Sequence, residues 1–368
     1  MAKSAASRKT TITKKSYEFL RNYINNASPV GFETWGQKLW LDYIKRYVDN
    51  YYIDPYGTAV GVINESNPFK IVIEAHADEI SWFVNYVNPE GLIYLKRNGG
   101  VDHQTAPASR VFIHGKKGPV KAVFGWPAIH TRHGADSKET QPKTDNLWLD
   151  CGARNRKDVE ALGIHIGAVV TYQDGFDELA NGNLVGRAFD NRIGGYMIAE
   201  VARLLNENKK KLPYGLHIVN AVQEEIGLRG AEMIARRIKP NIAIVTDVTH
   251  DTTTPMINKN IEGEVVCGKG PSLSYAPAVH NKLLGIVEKV ANDNKIPVQW
   301  RALSRSTGTD TDSFAYANDG CPSVLISIPL RYMHTTVEML HRDDIDNTIW
   351  LMYETLLTLT PKTNLSYL

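Results

Sequence analysis

Ile71-Val72-Ile73-Glu74-Ala75-His76-Ala77-Asp78-Glu79 is the stretch on which the reading of this chain turns. A short apolar run, with the length and β-branched composition of a buried strand, passes directly into a histidine followed by two acids. The pattern recurs along the chain. Leu216 to Val222 runs through Gln223 into Glu224-Glu225, Ile242 to Val245 runs through Thr246 into Asp247, and Ser323 to Ile328 leads a few residues later to His334. Stretches of helical rhythm lie between and after these runs: Asn191 to Leu205, Arg229 to Arg237, Asn281 to Asn292, and a closing helix from Asp344 to Leu359. Such alternation predicts an α/β fold with a mostly parallel sheet flanked by helices.

Further toward the amino end, Tyr17, Leu20, Tyr23 and Ile24 predict an amphipathic helix over Ser16 to Ile24. A second helix is expected from about Glu33, with the stripe Trp35, Leu39, Trp40 and Tyr43 in the core. Ala59 to Ile63 reads as a strand joined by a turn to Ile71-Val72-Ile73. From Ser81 the rhythm changes. Gly91 to Leu95, Arg110 to Ile113, Val120 to Phe124 and Val169 to Tyr172 are short β runs, interrupted by one helix-like stretch from Lys157 to Leu162. The predicted organisation is a disordered basic tail over residues 1–15, a discontinuous α/β domain over 16–80 and 187–368, and an inserted small β-rich domain over 81–186. A polar loop is expected from His130 to Lys143.

The composition of the 368 residues, 43% apolar and 22% charged, suits a protein with a sizeable core. A net charge of +2 gives no reason to expect nucleic acid or an acidic membrane as partner. The basic residues Lys3, Arg8, Lys9, Lys14 and Lys15 read as a solvated tail. Cys151, Cys267 and Cys321 form no CxxC pair and are odd in number, which argues against a disulfide framework or a zinc ribbon. They are expected to be buried and reduced, in the cytoplasm. No apolar run reaches membrane-spanning length, and no secretory signal is expected.

In an open α/β sheet, functional groups gather at the carboxyl ends of the strands. Four strand ends side by side could therefore unite His76, Glu225, Asp247 and His334, with Asp190 joining them from the start of the helix at Asn191. Two histidines and three carboxylates suit a pair of divalent ions, with one carboxylate shared between ions roughly 3.5–4 Å apart. Imidazole and carboxylate fit zinc, cobalt or manganese, and no thiolate is among them. Of the pair Glu224-Glu225, one can hold metal while the other stays free as a proton acceptor. Asp78 is placed to orient the His76 ring. Taken singly, each motif is weak, since HxD is common and paired glutamates are usually solvated helix surface. Their joint placement at strand ends carries the reading.

His76-Ala77-Asp78-Glu79-Ile80, Ala188-Phe189-Asp190-Asn191-Arg192, Gln223-Glu224-Glu225-Ile226-Gly227, Asp247-Val248-Thr249-His250, Gly308-Thr309-Asp310 and Arg331-Tyr332-Met333-His334 resemble, in order, the motifs of the M42 family of metallo-aminopeptidases. That family includes tetrahedral, glutamyl and deblocking aminopeptidases. The resemblance spans nearly all of the chain after the basic tail. It implies a di-metal exopeptidase fold acting on peptides with a free amino terminus. It implies further that His76 and Asp247 are terminal ligands of one ion and Glu225 and His334 of the other. Asp190 would bridge them, Glu224 would be the general base, and Asp78 would orient His76. The β-rich insertion would be a dimerisation domain, and the homo-oligomer a dodecamer built from dimers and enclosing a chamber.

Two departures stand out. Ser81 occupies a place where the family commonly has Gly, which matters if that turn needs a positive φ. Asp312 adds an acid after Asp310, which bears on substrate preference. Several tempting residues are set aside. His130 and His133 lack a carboxylate at useful spacing, His250 is read as a structural group, and His341 as a helix cap. Gly268-Lys269-Gly270-Pro271 lacks the Ser or Thr and the following helix of a phosphate loop. The rival functions are a metal-dependent amidohydrolase acting on N-acylated amino acids and a non-catalytic assembly protein. The latter predicts a lost ligand or base, and none is lost. A glycosidase needs two carboxylates free to flank a sugar, whereas these acids accompany histidines.

Overall fold

The computed structural model describes residues 10–132, 141–173 and 175–368. His133 and most of the expected polar loop lie outside the described residues. The long apolar runs become the centre of an eight-stranded sheet. Its order is Asn50–Ile53, Ala59–Ile63, Gly215–Ala221, Lys70–His76, Ile242–His250, Ser323–Leu330, Ser272–Tyr275, Gln299–Ala302. The four central strands, from Gly215–Ala221 to Ser323–Leu330, are parallel to one another. They are buried almost throughout. Burial on both faces is what a continuous apolar run requires, because helices cover each side of such a sheet. The strands outside this group join it by antiparallel pairing at Ala59–Ile63 and at Ser272–Tyr275.

The helix Phe189–Glu207 is buried from Phe189 to Leu205 and packs directly on the sheet. Gly194 permits that approach: a Cβ there would come within 2.8 Å of the Ala75 Cβ. The helices Lys14–Asn25, Thr34–Ile44 and Arg342–Thr358 pack around it through one apolar core containing Leu20, Tyr23, Trp40, Phe189 and Leu356. The expected second helix runs from Thr34 to Ile44. Of its aromatic stripe, Trp40 and Tyr43 are buried, but Trp35 is 41% exposed and stacks on His114. It belongs to a surface groove with Phe112, not to the core. Only Cys321 is buried among the cysteines; Cys151 and Cys267 are half-buried, and all three are unpaired.

The β-rich stretch closes on itself. Ser81–Val87, Ile93–Asn98, Trp148–Asp150, Gly118–Gly125, Arg110–Gly115 and Val169–Tyr172 form a closed antiparallel barrel around Trp82, Val84, Ile93, Val111, Phe124 and Leu149. Ser81 lies in extended backbone at the start of its strand, so the glycine position makes no positive-φ demand here. Beyond the barrel, Asp177–Glu178 pairs with Asn183–Gly186, which pairs in turn with Glu338–His341 near the carboxyl end.

Residues 10–15, expected to be part of a disordered tail, are ordered. Ile12 is only 6% exposed, and the helix begins at Lys14. Thr13 caps it with a reciprocal pair of hydrogen bonds: its Oγ1 accepts from Ser16 N at 3.1 Å and its N–H donates to Ser16 Oγ at 2.8 Å. Thr11 N–H donates to Asp346 at 2.8 Å, and Arg203 donates to the Thr11 carbonyl at 2.7 Å. Lone Ile12 among basic residues gave too little apolar signal to reveal this docking. Thr13→Ala is expected to lower stability by about 1 kcal/mol, the usual worth of such a cap. Urea melting checks it, and an unchanged midpoint would show that the cap contributes nothing.

Candidate active site

Strand register brings the expected residues to one level. His76 pairs with Ala221, one strand away from Gln223 and the turn at Glu224–Ile226. Glu74 pairs with Val245 on the other side, so Asp247 comes level with His76 two residues further on. Asp247 lies inside the strand Ile242–His250, not just beyond its end as the apolar run suggested. It faces Ser327 across the next strand, whose chain continues to His334. Asp190 enters from the start of the helix beneath, where its peptide bond to Asn191 is cis. Ala188, Gln223 and His334 all adopt left-handed backbone at φ 59, 59 and 63. Non-glycine residues take that conformation at a cost, which neighbouring contacts must offset.

The side chains converge around the Asp190 carboxylate. Its Oδ1 lies 3.2 Å from His76 Nε2 and its Oδ2 lies 3.3 Å from His334 Nε2. Asp247 Oδ1 is 3.8 Å from His76 Nε2, and Glu225 Oε1 is 3.3 Å from His334 Nε2. Three groups of potential ligands result: His76, Asp190, Asp247 and Asp190, Glu225, His334 share the Asp190 carboxylate, and His76, Glu224, Glu225 form the third. Glu224 Oε2 approaches His76 Nε2 to 3.8 Å. Asp78 lies 3.4 Å from His76 Nδ1, and its two oxygens accept the backbone N–H groups of Glu224 and Glu225 at 3.0 and 3.1 Å. One acid thereby holds the histidine and the paired glutamates in fixed relation.

So many acids in one buried place interact strongly. Burial pushes Glu224 up to about 11, against the pull of His76 and with the help of Asp247. Burial likewise pushes Asp247 up to about 7 and raises Glu225. For His334, burial opposes protonation, but contacts with Asp190 and Glu225 carry it up to about 12. Burial would raise Asp190 too, yet the two histidines hold it below the ordinary carboxylate range. Glu225 Oε1 is buried with no hydrogen-bond donor aligned on it. These are the properties of a donor set made for cations, which would balance the stranded negative charge. The residues fit divalent ions.

Other groups complete the surroundings and were not apparent from sequence. The Gly100 carbonyl, from the segment just after the barrel strand Ile93–Asn98, lies 3.0 Å from His334 Nδ1. A Cβ at Gly100 would come within 2.7 Å of that ring, so glycine is required by the close approach. Glu74 and Asp310 face one another, fully buried; burial pushes Glu74 up to about 8 and Asp310 well above its ordinary value. Two carboxyls in one such space do not both ionise. Asn191 Nδ2 donates to the Thr246 carbonyl at 2.7 Å, tying the Asp190 segment to the strand of Asp247. A cavity of about 750 Å³ opens over the site, lined also by His250, Arg301 and Asp312. Arg301 supplies the cation that the sequence did not place there; it donates to Thr249 Oγ1. Asp312 accepts from the backbone of Thr307, at 3.0 and 3.1 Å, and of Gly308, at 3.3 Å. His341 caps the closing helix as expected, accepting from Asp343 N at 3.1 Å.

A mixed α/β sheet whose strand ends converge histidines and carboxylates in an open cavity defines a hydrolytic enzyme with a candidate metal centre. The chain belongs to the M42 peptidase family: the family profile, described as M42 glutamyl aminopeptidase, matches residues 57–351. It is an aminopeptidase, a hydrolase of peptide bonds. It is 32% identical over 348 residues to the lysyl aminopeptidase of Pyrococcus furiosus, covering 94% of this chain and 98% of that one. The TET aminopeptidase of the marine sediment archaeon Thaumarchaeota archaeon SCGC AB-539-E09 superposes with a TM-score of 0.90 at 28% identity, covering 95% and 97% of the two chains. The fold is shared also with the Pyrococcus horikoshii TET1 peptidase, which can assemble into a tetrahedron or a large octahedral shell; the TM-score is 0.83 at 23% identity, covering 94% of this chain and 100% of that one. No helix among the described residues is long and apolar enough to cross a membrane.

Proposed function

We propose that this chain is a two-ion aminopeptidase of the di-metal exopeptidase type. In this reading His76 and Asp247 end one ion's ligand set, Glu225 and His334 end the other's, and Asp190 bridges them. The observation that carries the proposal is the Asp190 carboxylate, whose two oxygens face two different imidazoles at 3.2 and 3.3 Å. Zinc or cobalt suits these donors best, and manganese is compatible. Two such ions would polarise the scissile carbonyl and make a water acidic enough to lose its proton near neutral pH.

The protein's own groups do the rest. Glu224 Oε2 takes the proton from the attacking water and returns it to the departing amine. Asp78 holds the Glu224 backbone and the His76 ring in register. The substrate is a peptide with a free amino terminus, seated in the cavity beside Arg301 and Asp312. We assign catalysis to the two α/β stretches before and after the barrel, within 16–80 and 187–368, with the ordered residues from Thr10 joined to the first. The insertion, 81–186, is assigned to dimerisation, and the tetrahedral and octahedral assemblies of TET1 support a homo-oligomer built from such dimers. The unpaired thiols support a cytoplasmic location.

Metal-stripped protein is expected to hydrolyse no amino-acid p-nitroanilide, and addition of zinc, cobalt or manganese is expected to restore release. The same anilides with an acetylated amino group should remain intact. Equal release from stripped protein would remove the ions from the mechanism. Release from acetylated substrates alone would turn the assignment toward amide deacylation.

A further inference from the structure

Glu338 occupies a position that none of the expected site residues explains. It opens the strand Glu338–His341 and pairs with Gly186, a few residues before Asp190. On its other side, a bridge between Arg331 and Met339 folds the chain back over His334. The side chain is enclosed at that junction, and the residue is 2% exposed. Its two oxygens are divided between two backbones. Oε2 accepts the Asp190 N–H at 3.0 Å, and Oε1 accepts the His334 N–H at 2.8 Å. One carboxylate thus clamps the main chain of the shared acid and of a histidine ligand, which approach from opposite sides. Asp78 makes the same kind of clamp on Glu224 and Glu225.

From this geometry we infer that Glu338 is a positioning residue for the second ion, fixing Asp190 and His334 at the separation that ion requires. The inference rests on the two-ion reading. His334 leans on the clamp, because its backbone is left-handed at φ 63 and is otherwise spanned by a turn bond from the Thr335 N–H to the Tyr332 carbonyl at 3.2 Å, outside any helix or strand. A glutamine at 338 keeps the volume but turns an NH2 group toward one of the two N–H donors, so one clamp must open. The ion held by His76 and Asp247 does not use His334 and should be affected less.

The test is a titration of metal-free protein with cobalt(II) alone, followed calorimetrically and by visible absorption, in wild type, Glu338→Gln and Glu338→Asp. Wild type is expected to take two ions. Glu338→Gln is expected to bind the second ion about 10–100-fold more weakly, the usual effect of losing a group that orients a ligand, and the first ion with a clearly smaller loss. Turnover should return at high cobalt with KM little changed. Glu338→Asp, which keeps both acceptors on a shorter arm, should fall between the two, and it replaces the Gln variant if that one does not fold. Two ions at wild-type affinity in a natively folded variant would overturn the inference. So would equal weakening of both ions together with a lower melting temperature of the metal-free protein, since that marks a structural role only. A wild type that takes a single ion would overturn the two-ion reading itself.

Discussion

Glu224→Gln is expected to lower turnover by about 10²–10⁴-fold, the range over which a positioned proton acceptor contributes, while metal content stays near that of wild type. The substitution keeps shape and removes the ability to accept a proton. The proposed ligand sets leave Glu224 unused, with its Oε2 3.8 Å from His76 Nε2, whereas Glu225 closes on His334 at 3.3 Å. Its backbone is held by Asp78 independently of its own side chain, so the Gln variant should keep the turn intact. Burial and the acids around it push Glu224 up to about 11 without ions, despite His76. The carboxyl therefore holds its proton when no ion is present, and cations beside it would favour the carboxylate, the form that can accept a proton. Kinetics on a free amino-acid anilide, with metal analysis of the same sample, decides the matter. Normal turnover would move the base elsewhere; normal turnover per ion with depleted metal would make Glu224 a ligand.

Asp190→Asn should act differently, depleting both ions at once. In the proposed ligand sets every other residue serves one ion, but Asp190 serves both, its two oxygens facing His76 and His334 at 3.2 and 3.3 Å. An amide can present one oxygen, leaving an NH2 group toward the second imidazole, and it carries no charge to set between two cations. Losing an orienting partner already costs about 10–100-fold in affinity, so losing the shared ligand should cost each ion more than that. The Asp190 main chain is held by Glu338, and Asn191 is tied to Thr246, so the local backbone does not depend on the exchanged atom. Metal analysis after dialysis is the measurement. A variant that kept two ions per chain would remove Asp190 from the bridging role.

The contrast between these residues and Glu338 shows what the sequence could and could not reveal. Ile71-Val72-Ile73 ahead of His76 was legible because a strand covered on both faces must be apolar throughout, and the end of that run marks where the chain meets the cavity. Glu338 carries no such mark. An acid four residues after a histidine looks like surface, and its partners become evident only when Gly186 is paired beside it. Gly100 is silent for the same reason: its contact with His334 arises from the docking of the barrel, not from any local pattern. Arg301 stayed hidden because Gln299–Ala302 is a short edge strand of mixed polarity, without a rhythm that places its side chains. Asp247 reads from sequence as lying just past a strand, but that strand runs on to His250, since pairing with Ser323–Leu330 continues past the apolar run. Barrel closure likewise hinges on Trp82 and Phe83 pairing with Val170 and Val169, a long-range register that no stretch of sequence displays.

That closure has a bearing on how copies of the chain could meet. A sheet ending in a free strand offers unsatisfied backbone groups to any similar strand, and growth by that route has no natural stopping point. The barrel from Ser81 to Tyr172 has no free first or last strand, because those two bond each other. Whatever it touches must be recognised by side-chain shape and charge, which complement a partner at one orientation and then are used up. A contact made this way is finite, and an assembly founded on it can close instead of growing into a fibre.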